Sequence, residues 1–561
     1  MKYANWKVPA ESPVIPSALV SAGCTPLLAA ILHLRGLSDA REAREFLEGG
    51  AELLADPLAL ADMIPAVQRL TMAVARGEHV AVYGDYDVDG ITAGCLLSDY
   101  LRSRGLECEL YIPDRMSEGY GMNTGAIDAL GDKGVTLIVT VDCGVTNVEE
   151  TAYAAARGID MIITDHHECR DVLPEAEAVV DPKRPDNGPE GQFLAGVGVA
   201  FKVVCAMDGN AERMLERYGD LVAVGTVADV MPILGENRFI TRYGLQQISQ
   251  GRCRPGFRAL LEEAGAADKR LTAATIGYSL APRINAAGRL GETELAVGLL
   301  EAGERRRAGE YAAALCRKNR ERQELEQAIW DQAVSMLGDV RPETPIVLAA
   351  EGWHPGVIGI VASRLSDAYS VPAVMVCLDG DTGKGSCRSA GSFNLFEALT
   401  ACSDCLEGFG GHAMAAGVTV RRDRVDELRE KLGAYYRDHP DRSVSALEPD
   451  LRVDDAALLS MECVESLDAL EPCGNANPRP LLYMDGVRVA GVSPIGAGKH
   501  LRLRLEKFGE VYDAVFFSQT AAGLGVRAGQ EADIVFMPQI NEFRSRRSVQ
   551  LVITDLRPHR A

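Results

Sequence analysis

The sequence predicts an α/β protein with four parts: a parallel-sheet domain, a long connecting helix, a second smaller α/β domain and a C-terminal β-barrel. Three observations carry this. From His79 to Asp229, short non-alternating apolar runs alternate with helical stretches, the pattern of strands buried on both faces. From about Glu292 to Gly338 the chain is helical in pattern and rich in charge. From about Glu471 it breaks into five short alternating runs, as small barrels do. The implied boundaries are 1–75, 76–290, 291–340, 341–440 and 450–561.

The lead-in, 1–75, opens on an extended arm at Asn5-Trp6-Lys7. Short helices follow at Leu27–Leu34 and Ala40–Leu47, the second behind an Asp39 cap. Asp56-Pro57 interrupts, and a helix resumes over Ala66–Arg76. This region is expected to pack on the outside of the next one.

Strands are expected at Val80–Tyr83, Glu109–Ile112, Leu137–Val141, Met161–Thr164 and Ala178–Val180. The first runs into Gly84-Asp85-Tyr86-Asp87-Val88-Asp89-Gly90. Alternate residues of an extended segment point the same way, so these carboxylates converge and each disfavours its neighbour's ionisation. An EF-hand also opens this way but needs Glu at loop position twelve, where this chain has Leu96, and a strand precedes the motif instead of a helix. Taken alone, the triplet fits a solvated acidic turn. Three further segments change the balance: Leu137–Val141 ends in Asp142, Met161–Thr164 in Asp165-His166-His167, and Leu221–Ala228 in Asp229. Each polar group follows an apolar segment directly, at what would be a strand's carboxyl end, where open parallel sheets gather ligands. Asp85, Asp87, Asp89, Asp142, His166 and Asp229 are the candidate metal ligands. Carboxylates with a minority of imidazole suit Mn²⁺ or Mg²⁺. A pair of such ions clamps the attacking and leaving oxygens of a phosphoryl displacement. His166 and His167, being adjacent, face opposite ways: one binds metal, and the other approaches substrate or supports the ligands.

The segments Gly84–Gly90, Val141–Gly144, Thr164–His167 and Thr226–Val230 resemble the four signature motifs of the DHH phosphoesterase superfamily. The resemblance implies that the motif aspartates and His166 hold two divalent ions and that His167 lies beside the scissile phosphate. Within that superfamily the RecJ single-strand exonucleases are the more specific likeness. It rests on Ile112-Pro113-Asp114-Arg115, Glu118–Gly121, Ala281–Arg289, and the lead-in Arg35–Leu37, Asp56-Pro57 and Asp62-Met63. Tyr83 departs from it, because many relatives carry His there.

The charged stretch reads as an exposed connecting helix: Glu304–Glu324 holds 7 Lys and Arg against 4 Glu. In the second α/β domain a strand at Ile346–Ala350 leads through Trp353–Gly356 into a helix, and Gly408–Gly417 reads as a glycine-rich turn entering a small-residue helix. These match the DHH-associated domain. The resemblance assigns Arg115, Ser386 and Arg388 to a pocket for a 5′ phosphate, with Gly411 and His412 on the glycine-rich segment closing over the site, where His412 either approaches the scissile phosphate or stabilises the turn. It assigns Arg283, Asn285 and Arg289 to contacts near the scissile phosphate. After a linker at 440–449, the barrel carries 11 Lys and Arg against 8 Asp and Glu from Leu481 to Ala561, while the whole chain has a net charge of -22. That contrast suits an OB-fold binding single strands, with Lys499, Arg502, Arg504, Phe508, Phe543 and Arg544 as candidates.

The acidic whole argues against a protein coated for nonspecific duplex binding. The 14 cysteines are scattered, and Cys402–Cys405 lacks a second pair at zinc-ribbon spacing, so reduced core thiols are expected. No secretory leader or spanning run is legible, and a cytoplasmic monomer is expected. The function expected is metal-dependent 5′-to-3′ hydrolysis of single-stranded DNA to mononucleotides in repair and recombination, fed by a helicase or a single-strand-binding protein. The alternatives are a phosphodiesterase for short oligonucleotides or cyclic dinucleotides, and a non-catalytic strand-binding scaffold.

Overall fold

A computed structural model of the chain describes residues 3, 5–115, 118–119, 121–188, 191–338, 341–439, 446–543 and 546–559. It forms two compact units, 51–443 and the pair of segments 1–50 and 444–561.

The first unit is built on a five-stranded parallel sheet of β1 (His79–Gly84), β2 (Glu107–Tyr111), β3 (Leu137–Val141), β4 (Asp160–Thr164) and β5 (Ala178–Val180). The order is β2-β1-β3-β4-β5. Chain direction across the sheet therefore reverses between β1 and β3. The loops leaving their carboxyl ends diverge there and leave a crevice. β3 is buried along its whole length, as its Leu-Ile-Val-Thr-Val run requires of a strand covered on both faces. Helices α1 (Val88–Ser103), α2 (Gly196–Asp208) and α3 (Ala211–Ala228) cover one face and share one core with the helix Met63–Arg76.

One element differs in kind from the sequence expectation. Leu221–Ala228 is the last two turns of α3, so Asp229 caps a helix and does not end a strand. Residues Tyr218 to Thr226 of α3 are buried all round between α1 and α2. A helix enclosed in this way tolerates β-branched residues, because burial outweighs propensity.

Helix α4 (Ala281–Arg289) follows a π-helical turn, Ile276–Leu280. The connecting stretch is two helices, Thr293–Glu301 and the 33-residue α5 (Arg305–Leu337), broken at Ala302–Glu304. Beyond it lies a mixed five-stranded sheet, β6 (Ile346–Glu351), β7 (Ala373–Asp379), β8 (Thr382–Arg388), β9 (Gly408–Gly411) and β10 (Ala415–Arg421), ordered β9-β10-β8-β7-β6. Helix α6 (Ile358–Tyr369) packs on β7 and β8. The expected small-residue helix after Gly411 is the strand β10, hydrogen-bonded to both β8 and β9. Its alternating burial, with Ala416, Val418 and Val420 inward, is the period-two pattern that fixes a strand's register.

The second unit is a five-stranded closed barrel: β11 (Leu482–Ile495), β12 (His500–Lys507), β13 (Glu510–Phe516), β14 (Glu531–Phe543) and β15 (Arg546–Pro558). The order β11-β12-β13-β15-β14 closes through β11–β14 pairing, the OB topology. Residues 1–50 belong with this barrel, against the expectation that the lead-in packs on the parallel-sheet domain. The helix Pro26–Leu34 buries Leu27, Leu28, Ile31 and Leu32 into the barrel core, and Ala40–Glu48 adds Ala43. Trp6 pairs its strand with Leu447 and donates its indole N–H to Asp555 Oδ2 at 3.1 Å. The part from Ala51 onward joins the parallel-sheet unit: Ala51, Leu53 and Leu54 pack against its core, and Leu60, Met63, Ala66 and Leu70 are buried in it.

Candidate metal centre and phosphate pocket

The carboxylates meet at the β1–β3 crevice. Asp85 leaves β1 buried. Asp87 caps α1, with Oδ1 accepting from the amides of Asp89 (2.8 Å) and Gly90 (3.1 Å), so the loop turns sharply into the helix. Gly90 is required there, because a Cβ would lie 2.5 Å from the Asp85 carbonyl oxygen. Asp89, the second residue of α1, accepts from the first amides of α2, Gly196 at 2.7 Å and Val197 at 2.8 Å. A helix N-terminus thus neutralises part of its charge. Asp142 ends β3 in a left-handed conformation (φ 61°), which costs roughly 1–2 kcal/mol. Strain of this kind collects at sites where the surrounding structure imposes a side-chain direction. Gly196 makes room for it, since a Cβ there would lie 2.5 Å from Asp142 Cβ.

His166 Nε2 lies 3.0 Å from Asp142 Oδ1, 3.6 Å from Asp229 Oδ2 and 3.8 Å from Asp89 Oδ2. Three sets bring ligand atoms within 4.8 Å of one another: Asp85, Asp87 and Asp142; Asp89, His166 and Asp229; and Asp142, His166 and His167. All six sequence-designated ligands are in these sets. Burial, and then the neighbouring carboxylates, hold the Asp85 carboxyl up to about 8 and the Asp229 carboxyl up to about 7. Asp89 and Asp142 are pushed well upward for the same reasons. Burial and then the His167 charge lower His166 to about 4, leaving a neutral imidazole. Asp85 Oδ1, Asp142 Oδ1 and His166 Nε2 are buried and have no hydrogen-bond partner. Orphaned buried acceptors converging on one another are the donor set of a cation site. The residues fit a pair of hard divalent ions.

His167 turns away to Asp165, with Nδ1 2.7 Å from Asp165 Oδ1. Burial opposes its charge, but the Asp165 hydrogen bond and charge outweigh it and raise the imidazole to about 9. Asp165 is itself buried; it also accepts from the amides of His166 (2.7 Å) and Val145 (2.9 Å), so it stays ionised below its usual range. The sequence reading did not single out this positioning carboxylate. Its place inside the same Asp-His-His triplet was the available signal. Tyr83 does not belong to the centre: it stacks on Tyr111 at 5.2 Å and donates to the Gly121 carbonyl at 3.1 Å. The carboxylate sets assemble beside it nonetheless.

Arginines gather at the next edge. Arg289 donates to the Gly356 carbonyl (3.1 Å), and Arg388 to Ser386 Oγ (3.2 Å) and the Cys387 carbonyl (2.8 Å). The Arg115 guanidinium lies over the Tyr86 ring at 4.9 Å. Among the described residues none of the three forms an ion pair with a carboxylate. Burial and then the charges of Arg115, Arg322 and Arg388 depress Arg289 to about 10, so these groups repel one another across one space. A cluster of unpaired guanidiniums and a hydroxyl is suited to a phosphate. Gly359, near the start of α6, faces Ser386 Oγ and Arg388, where a Cβ would come within 2.9 Å. Two close approaches tie the parts together: a Cβ on Gly288 would lie 2.1 Å from the Tyr86 carbonyl oxygen, and one on Gly356 2.1 Å from that of Arg289. Asn285 accepts from the Val88 amide at 3.2 Å and so braces the acidic loop.

The remaining expected residues make contacts of their own. Arg283 donates to Cys316 Sγ (3.3 Å) and the Ser279 carbonyl (2.6 Å), which ties α4 to α5. Gly411 and exposed His412 form the β9–β10 hairpin, where the His412 amide donates to Ala415 at 2.8 Å. On the barrel Arg502 pairs with Asp513 at 3.3 Å and Arg504 sits opposite Asp513 in register. Lys507 lies over the Phe508 ring at 5.5 Å. The Phe543 side chain and Arg544 lie outside the described residues.

Comparison with known proteins agrees with this geometry. Residues 79–226 match the model of the DHH family, N-terminal domain; 343–438 match the DHHA1 domain; 450–555 match the RecJ OB domain. The single-stranded-DNA-specific exonuclease RecJ of Bacillus subtilis is 37% identical over 95% of this chain and 68% of its own length. This chain belongs to the RecJ family. The Escherichia coli RecJ exonuclease is 34% identical, with 97% of each chain covered. Among solved structures, Thermus thermophilus RecJ in complex with Mn²⁺ matches with a TM-score of 0.85 at 30% identity, covering 99% of this chain and 80% of that one. The Mg²⁺ complex of the same RecJ gives 0.80. Among the described residues no single helix is long and apolar enough to cross a membrane.

Proposed function

We infer that this chain is a divalent-metal-dependent exonuclease that hydrolyses the phosphodiester bonds of single-stranded DNA from the 5′ end, releasing mononucleotides. The observation that carries the reading is the convergence of Asp85, Asp87, Asp89, Asp142, His166 and Asp229, with buried acceptor atoms unpartnered, at the crevice between β1 and β3. Asp85, Asp87 and Asp142 would hold one ion and Asp89, His166 and Asp229 the other, Mn²⁺ or Mg²⁺ as in the related structures. When bound, such ions supply Lewis-acid activation and neutralise charge at the transferring phosphoryl group.

The chain's own groups do the rest. Arg115, Ser386 and Arg388 bind the terminal 5′ phosphate, and Arg289 takes the charge of the scissile one. His167, kept protonated by Asp165, donates a hydrogen bond from Nε2 toward the phosphoryl oxygens as charge builds there. The bond broken is the one to the 3′ oxygen of the first nucleotide, so the shortened strand carries a new 5′ phosphate and re-enters the same pocket. The complete ligand set opposes a non-catalytic scaffold, and the closed barrel is more than a dinucleotide substrate requires. Work in DNA repair and recombination in the cytoplasm, on strands supplied by a helicase or guarded by a single-strand-binding protein, follows from the same reading.

The deciding experiment uses long single strands labelled at the 5′ or the 3′ end, with Mn²⁺, Mg²⁺ or a chelator. Labelled mononucleotide from the 5′ end at once, from the 3′ end late, and from neither under chelation is the expected result. Release first from the 3′ end would overturn the polarity, and no metal-dependent release would overturn the activity.

A further inference from the structure

The arginine pocket accounts for the strand on one side of the metal centre; the other side needs a contact of its own. Val180 ends β5 level with Thr164 of β4. Asp181 follows and is buried, with Oδ1 accepting the Lys183 amide at 2.8 Å. The turn throws the Lys183 side chain back over the end of β4. Its ammonium reaches Glu168 Oε1 at 3.3 Å, and Glu168 is the residue directly after His167. The Glu168 side chain is 70% exposed and that of Lys183 30%, so the pair is open to solvent and holds the ammonium only weakly. Arg115 lies over the ring of Tyr86, in the loop between Asp85 and Asp87. Lys183 stands at the other run of ligands, beside the residue that follows His166-His167. A cationic group therefore stands by each of the two segments that deliver the ligands.

We propose that Lys183 binds the first backbone phosphate on the 3′ side of the scissile bond, exchanging Glu168 for the strand. The inference rests on the proposed exonuclease reading. A terminal phosphate among the arginines and a scissile phosphate over the carboxylates leave the next phosphate of the strand on the far side, where Lys183 stands. An ammonium on a flexible stem suits this phosphate, which shifts by one nucleotide at each cycle, better than a rigid fork would.

Two 5′-phosphorylated substrates separate this contact from the rest. A dinucleotide has a terminal and a scissile phosphate only; a trinucleotide adds the one assigned to Lys183. With Mn²⁺, Lys183→Ala should lower the trinucleotide-to-dinucleotide ratio of kcat/KM about tenfold, through KM, as expected for loss of one charge-assisted contact. Lys183→Arg should restore most of the ratio. The ratio cancels any difference in the folded fraction. An unchanged ratio in Lys183→Ala would overturn the contact. Wild-type protein that cleaves neither these substrates nor a long 5′-labelled strand would overturn the exonuclease reading itself, and this contact with it.

Discussion

His166 Nε2 and Asp142 Oδ1 face each other across 3.0 Å, and neither atom has a hydrogen-bond partner. The imidazole is neutral, since burial and the His167 charge lower it to about 4. A ring nitrogen and a carboxylate oxygen left unpartnered at that separation suit a cation between or beside them. Burial first, and then the charges of Asp89, Asp87, Asp85 and Asp165, push the Asp142 carboxyl well up, so metal-free protein favours a proton there.

Asp142→Ala removes the group common to two ligand sets. A loss of about 4 kcal/mol of transition-state stabilisation corresponds to roughly a thousandfold in kcat/KM. Turnover of a labelled strand should fall by at least that, while strand binding in a gel-shift assay persists. Activity within tenfold of wild type would remove Asp142 from the centre.

Metal uptake should release protons. Asp85 at about 8 and Asp229 at about 7 are raised first by burial and then by neighbouring carboxylates. Below these values a cation must displace a proton, so apparent affinity rises with pH by up to about tenfold per unit for each proton displaced. Metal-free stability runs the other way: a carboxyl whose folded pKa is raised favours folding while protonated, and that contribution is lost from about pH 4 up to the folded values. Calorimetric titration with Mn²⁺ at pH 6, 7 and 8, in buffers of different ionisation enthalpy, reads the proton release. Melting with and without metal should show the larger stabilisation at pH 8.

Asp165→Asn should act through His167 rather than through the ions. The substitution discards the charge that raises the imidazole to about 9 but keeps the shape of the side chain. Loss of such a supporting carboxylate commonly costs about 10–100-fold in activity. We expect that fall in kcat with Mn²⁺ affinity changed less than tenfold; equal losses in both would make Asp165 a support for the metal ligands alone.

Arg388→Ala should erase discrimination between 5′-phosphorylated and 5′-hydroxyl strands. Its guanidinium already lies against Ser386 Oγ at 3.2 Å without a carboxylate partner. One charged hydrogen-bonding contact of about 1.5–3 kcal/mol is worth roughly 10–100-fold. Competition between the two strands measures it, and undiminished preference would place the 5′ phosphate elsewhere.

Gly288→Ala tests how α4 is seated. Its Cβ would meet the Tyr86 carbonyl oxygen at 2.1 Å, a backbone atom that cannot swing aside. Overpacking of this kind costs about 1–3 kcal/mol. A lower melting temperature with a disproportionate loss of kcat is expected, because Tyr86 lies in the acidic loop and Arg289 on the displaced helix.

The chain by itself fixed what depends on short-range order. Val80–Gly90 declares a buried strand and a turn crowded with carboxylates, and Leu137–Asp142 and Met161–His167 repeat that arrangement. Their shared edge was legible because parallel strands present one end to one side. Tertiary structure decided the rest. Asp229 reaches the centre from the end of a helix, because enclosure between α1 and α2 overrides the β-branched character of Val222, Val224 and Thr226. Residues 1–50 join the barrel more than four hundred positions away, since the apolar stripe Leu27–Leu32 matches the barrel core as well as any nearer surface and periodicity carries no address. Lys183 drew no notice for the same reason: its ammonium meets Glu168 only when β4 and β5 lie side by side. Asp165 acts on His167 two residues along, and its signal was the triplet itself.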